Sequence, residues 1–166
     1  MTNSVTRAAT AAEIDVGVDG ALASLYNTVK DGQRLASSAK AILVFPNVYK
    51  AGVFFLGGEY GEGSLRTRGR TVDYYSTASG AFGWQLGAQK KSIIILFMQD
   101  DVLKNFLVSP NWKIGVDASV AVLTVGADGS IDSEKLNQPI IAFVIDQKGL
   151  MYNLTLEGTK VTKIKK

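Results

Sequence analysis

Residues 57–64 read GGEYGEGS, from Gly57 to Ser64. Four glycines and two carboxylates in eight residues suit either a loop that cradles phosphate or a strand that needs glycine for another reason. The dinucleotide fingerprint G-x-G-x-x-G fails in both frames. From Gly58 its second glycine falls on Tyr60, and from Gly61 its last falls on Arg66. The phosphate-loop pattern G-x-x-x-x-G-K-[ST] matches Gly58 and Gly63 in spacing. Ser64, however, stands where the lysine that reaches the phosphates belongs. Both motifs open a helix whose N-terminus faces the anion. Here SLRTRGRTVDYYS follows, alternating as a hairpin does, and Glu59 and Glu62 would repel phosphate. The stretch therefore predicts a bent strand, its glycines placed where a sheet curves or another backbone comes close.

Working outward, Ile14, Val18, Leu22, Leu25 and Val29 recur at steps of three and four, which predicts a helix from about Ala8 to Val29. Gly17 and Gly20 weaken it by ~1 kcal/mol each, so packing must support it. A short helix follows over Gln33–Lys40. AILVF, Ala41 to Phe45, is a short apolar strand closed by a turn at Pro46-Asn47. TVDYYST, AFGWQLGAQ, SIIILFM, IGVDASVAVLTV, PIIAFVID, LMYNLTL and TKVTKI are further strands on tight turns, interrupted by a helix over Asp100–Val108. The class is α+β: N-terminal helices on a curved, mostly antiparallel, barrel-like sheet with one further short helix. The 166 residues form a single domain, with residues 1–19 as an N-terminal extension, mobile or helical.

Composition excludes much chemistry. The chain has no cysteine and no histidine, so it lacks disulfides, thiol chemistry, the commonest general base and the commonest metal ligand. A net charge of +3 is too small for nucleic-acid binding. The longest apolar run, IIILFM, is far short of the ~20 residues a spanning helix needs. Ser37 and Lys40 have S-x-x-K spacing, but the S-D-N and K-T-G motifs that should accompany it do not occur. Asp128, Ser130, Asp132 and Glu134 alternate like calcium ligands, yet Ser133 and Pro139 occupy the positions of the required glycine and bidentate glutamate. No catalytic residue, metal site or cofactor is expected, and the chain reads as a non-enzyme.

The ordered segments AKAILVFPNVYKAG, GGEYGEGSL, YYSTASGAFGWQLGAQ, KSIIILFM, WKIGVDASVAV and GLMYNLTLEGTKVTKI resemble the SYLF domain family over roughly Gly20 to Ile164. The resemblance implies a non-catalytic phospholipid-binding module at a membrane surface, with phosphoinositides as ligands and actin binding in eukaryotic members. The alternative it carries is a protein-interaction module for an actin-like or envelope partner without a specific lipid. Bacterial members resemble secreted proteins or outer-membrane lipoproteins. That implies a periplasmic or outer-membrane location for this chain, as the mature region of a precursor, with the cytoplasm as the other reading.

An anionic phospholipid or membrane surface needs cations. Arg66, Arg68 and Arg70 alternate at a hairpin tip, where guanidinium forks match phosphate oxygens. Lys90 and Lys91 sit at a second turn, Arg34 and Lys40 follow the first helix, and Lys160, Lys163, Lys165 and Lys166 crowd the C-terminus. Among the aromatics, Phe54, Phe55, Tyr60, Tyr74, Tyr75, Trp84 and Trp112 fill a core or touch a bilayer. Glu13, Asp15 and Asp19 make the first helix a poor binder of anionic surfaces, and packing is its expected job.

Overall fold

The computed structural model describes residues 9–50, 58–80, 90–146 and 155–166. Helix α1 spans Ala11–Thr28 and opens on a capping box. The Thr10 hydroxyl accepts from the Glu13 amide at 3.1 Å, and the Thr10 amide donates to Glu13 Oε1 at 2.8 Å. Its buried stripe is Ile14, Val18, Ala21, Leu22 and Leu25, at the period the sequence predicts. Helix α2 spans Gly32–Ser38, and α3 spans Asp100–Leu107.

Eight strands form one curled sheet, a half-barrel. They are β1 Ala41–Lys50, β2 Glu59–Thr67, β3 Arg70–Ser79, β4 Lys90–Phe97, β5 Asn111–Lys113, β6 Ala121–Val122, β7 Ile140–Asp146 and β8 Lys160–Ile164. Their order is β5-β8-β3-β2-β1-β4-β7-β6, and every pair is antiparallel except β6 with β7. The architecture is the α+β one expected. The proposed strand over residues 81–89 lies outside the described residues, as do residues 150–154 of LMYNLTL.

Alternation splits the sheet's residues between two cores. Inside the curl, Leu43, Phe45, Leu65, Tyr75, Ile95, Phe97 and Val144 pack with Trp112 and with Phe106 of α3. On the outer face, Val44, Ile94, Leu96, Ile141 and Phe143 pack under α1 and α2. The run IIILF is apolar throughout because both of its faces are covered.

Two sequence expectations need correction. Pro46-Asn47 is not a turn: β1 runs on to Lys50 through a bulge, and its register slips against both neighbours between Val44 and Val48. A proline cannot donate to a ladder, so a bulge is where a central strand can hold one. IGVDASVAVLTV is not one strand either. Gly115 at φ 94° starts a tight turn, and Asp117 Oδ2 accepts from the Lys113 amide at 2.7 Å. Only Ala121 and Val122 pair as a strand.

Gly61 and Gly63 of GGEYGEGS are explained by that bulge. A side chain at Gly61 would come within 2.8 Å of the Asn47 carbonyl, and one at Gly63 would collide with the carbonyl of Val44. Glycine here is needed for close approach of backbone to backbone, as the strand reading requires.

Candidate functional site

Apart from the C-terminal lysines, the seven candidate cations separate into different environments. Arg66 is committed to the fold. A register shift between Leu65 and Arg66 accompanies its placement under α1. There its guanidinium donates to Asp19 Oδ1 at 2.6 Å and to the Asp15 carbonyl at 3.0 Å. Asp15 also accepts from Thr71 Oγ1 and from the Tyr74 hydroxyl, each at 3.0 Å. Burial, with the Asp15 carboxylate behind it, holds the Tyr74 phenol above its ordinary range. Asp15 and Asp19, two of the acids that make α1 a poor surface binder, are therefore its anchors to the sheet. Arg66, Arg68 and Arg70 do not share one face, because Arg68 and Gly69 form the two-residue turn itself, at φ 52° and 78°.

Lys91 is also internal. It lies on the inner face of β4, with its ammonium 2.9 Å from Glu59 Oε2 and both side chains almost wholly buried. The contact is an ion pair without hydrogen-bond alignment, since that oxygen has no hydrogen-bond partner. Neither Arg66 nor Lys91 offers its charge at the surface.

Arg68, Arg70, Arg34 and Lys40 are exposed. The register Ile42↔Arg66 puts the start of β1, and so Lys40, at the same end of the sheet as the Arg68-Gly69 hairpin. Arg34 pairs loosely with Asp31 at 3.6 Å in full solvent, a contact worth little. Lys90 belongs to the opposite end, roughly 25–30 Å away along a nine-residue strand. The sheet thus divides the candidate cations between two ends.

At the Lys90 end, the registers Tyr49↔Tyr60 and Tyr49↔Lys90 align three residues across β2, β1 and β4. Directly opposed residues share a face. Tyr49 is 52% exposed and Tyr60 44% exposed. The Tyr60 hydroxyl donates to Glu62 Oε2 at 3.2 Å. Tyr49 escapes the sequence reading because that reading ends the strand at Phe45. The bulge shifts the alternation and brings Tyr49 outward. Strand ends at Lys50, Glu59, Ser79, Asp146 and Lys160 lie at this end as well. Phe54, Phe55 and Trp84 lie outside the described residues.

Two of the four C-terminal lysines are paired: Lys163 with Asp73 at 2.9 Å and Lys166 with Glu62 at 3.1 Å. The calcium-like alternation is turn chemistry. Asp128 Oδ1 accepts from the Ser130 hydroxyl and amide, which hold its carboxyl below the usual range, and Asp132 Oδ1 accepts from the Glu134 amide. Trp112 and Tyr75 belong to the inner core with Phe97 and Phe106.

Comparison with curated proteins yields no match. A family model described as Ysc84, Las17-binding protein actin regulator, matches residues 78–166, a little over half of the chain. The matched part runs from the end of β3 through β8, within the region that carries the SYLF resemblance. The chain belongs to the SYLF (Ysc84) family.

Proposed function

We propose that this protein is a non-catalytic module that binds anionic phospholipid at a membrane surface through the Lys90 end of its sheet. The observation that carries the reading is the outward row Tyr60–Tyr49–Lys90. Tyrosine is favoured at lipid–water interfaces because its ring is apolar and its hydroxyl is wet. A lysine beside it keeps an apolar stem along the surface and its charge among the headgroups. The family supports a binding role, and a chain without histidine or cysteine has few means of catalysis. The reading puts the protein at the periplasmic or outer-membrane surface, like the bacterial proteins it resembles. Cell fractionation tests that location, and recovery in the cytoplasm alone overturns it.

Vesicle co-sedimentation tests the binding surface. Tyr49→Ala with Tyr60→Ala should weaken binding to phosphatidylglycerol vesicles, while Arg68→Glu with Arg70→Glu at the far end should not. The reverse pattern would move the contact to the hairpin end. The family's description as a Las17-binding protein actin regulator favours a second reading, a surface for a protein partner. Vesicle binding no stronger for anionic than for neutral lipid would select it.

A further inference from the structure

Beside Lys90, between α1 and strands β1, β4 and β7, lies a cleft of about 240 Å³. Its helix wall is Gly17, Gly20 and Ser24, and its sheet wall includes Asn47, Lys90 and Ser92. The two glycines differ. A methyl group at Gly17 would come within 2.9 Å of Pro46 Cγ, so close packing accounts for that residue. A methyl group at Gly20 would meet nothing within 4 Å. Glycine weakens a helix interior, and at Gly20 no neighbour demands it. What its missing side chain does is keep the cleft open.

The cleft is largely polar, and Lys90 is the charged side chain on its outer-face wall. Lys90 lies on the outer face with Ser92, and it makes no ion pair among the described residues. Lys91 and Asp146 also border the cleft, but they oppose each other in register on the inner face, where Lys91 meets Glu59. The polar side chains on the outer face are then one ammonium, the Asn47 amide and the hydroxyls of Ser24 and Ser92, beside the apolar Ala21, Pro46 and Ile145. Ser92 already donates to the Pro46 carbonyl at 2.7 Å, which leaves its oxygen as an acceptor. One cation with neutral donors and acceptors matches one phosphate esterified to a small polyol. A cleft of about 240 Å³ has room for a small polar headgroup.

We infer that this cleft binds a singly phosphorylated polyol, either as the phosphodiester headgroup of a phospholipid or as a free phosphate ester. The lipid form rests on the membrane reading above. A headgroup with several phosphates finds no second cation among the outer-face lining.

The test uses amide NMR shifts with glycerophosphoglycerol and glycerol 3-phosphate as probes, beside sedimentation with phosphatidylglycerol vesicles. Gly20→Leu sends a side chain from a position whose Cβ meets nothing within 4 Å into the open space, and it removes a helix-interior glycine. It leaves Lys90, Tyr49 and Tyr60 in place. Saturable shifts at Gly20, Asn47 and Ser92 are expected in the native protein. Gly20→Leu and Lys90→Gln should each weaken them roughly tenfold or more. If Gly20→Leu also weakens vesicle binding, the ligand is a lipid headgroup. If Gly20→Leu abolishes the cleft shifts but leaves vesicle binding unchanged, or if the native protein shows the cleft shifts but binds no vesicles, the ligand is a free phosphate ester, and the second result also overturns the membrane reading alone. Shifts that are missing at the cleft, or that survive Gly20→Leu, overturn the inference even when vesicles bind. So does tenfold tighter binding of a bisphosphorylated inositol.

Discussion

Lys91 Nζ lies 2.9 Å from Glu59 Oε2 inside the curl, on strands separated by β1, with side chains 4% and 2% exposed. Removing Lys91 would leave the Glu59 carboxylate in a dry interior. Lys91→Met should therefore cost about 3–5 kcal/mol in denaturant unfolding. The double variant Lys91→Met with Glu59→Leu should recover most of that loss. A Lys91→Met cost under about 1 kcal/mol would show that water reaches the pair.

Glycines in different settings should respond in opposite ways. Gly63→Ala sets a methyl group against the Val44 carbonyl and should cost about 3 kcal/mol or more, since backbone must move. Gly20→Ala should gain up to about 1 kcal/mol, because α1 acquires a better helix former in open space. Thermal unfolding of the two variants measures the split. Equal shifts would contradict the bulge account of GGEYGEGS.

Arg66 joins α1 to β2 through two acceptors, one of them a backbone carbonyl. Arg66→Ala should cost about 1–2 kcal/mol, with the Asp19 contact discounted because Asp19 is well exposed. Arg66→Lys should recover only part, since an ammonium cannot reach both acceptors in the same fork. Amide exchange in α1 reads the effect directly. Full recovery by lysine would reduce Arg66 to a point charge.

Alkaline pH should destabilise the protein through Tyr75. Burial, with the Asp73 carboxylate adding to it, pushes its phenol from 10.0 up to about 12. Below 10.0 the folded and unfolded chains both keep the proton. Between 10.0 and about 12 the unfolded chain releases it while the folded chain retains it, so stability falls as pH rises. Denaturant midpoints across that window should drop less steeply for Tyr75→Phe than for the native protein. Parallel slopes would mean that Tyr75 titrates normally.

Periodicity made α1 legible in the sequence, because Ile14, Val18, Leu22 and Leu25 need only one apolar partner face, and unbroken apolar runs between turn residues made β4 and β7 legible. The hairpin at Arg68-Gly69 was legible from turn chemistry. What local pattern could not supply was the bulge at Pro46-Asn47, since a register slip depends on both neighbouring strands. From that bulge follow the outward turn of Tyr49 and the reason for Gly61 and Gly63. Charge was the other gap. Arg66 and Lys91 look like any surface cation in a list of residues, and only Asp19 across 47 positions and Glu59 across the sheet show where their charges go. The candidate site was therefore half legible. Lys90 was named from the sequence, but its tyrosine neighbours in register and the cleft beside it exist only in the folded chain.

Membrane contact through the Lys90 end is tested most directly by co-sedimentation with phosphatidylglycerol vesicles at low salt. Native protein should bind these vesicles more tightly than phosphatidylcholine vesicles, and added salt should weaken the difference. Lys90→Glu should lower the affinity roughly five- to thirtyfold, the effect of reversing one charge near an anionic surface. Arg68→Glu with Arg70→Glu should leave it unchanged. Native affinity retained by Lys90→Glu but lost in the arginine variant would contradict the account.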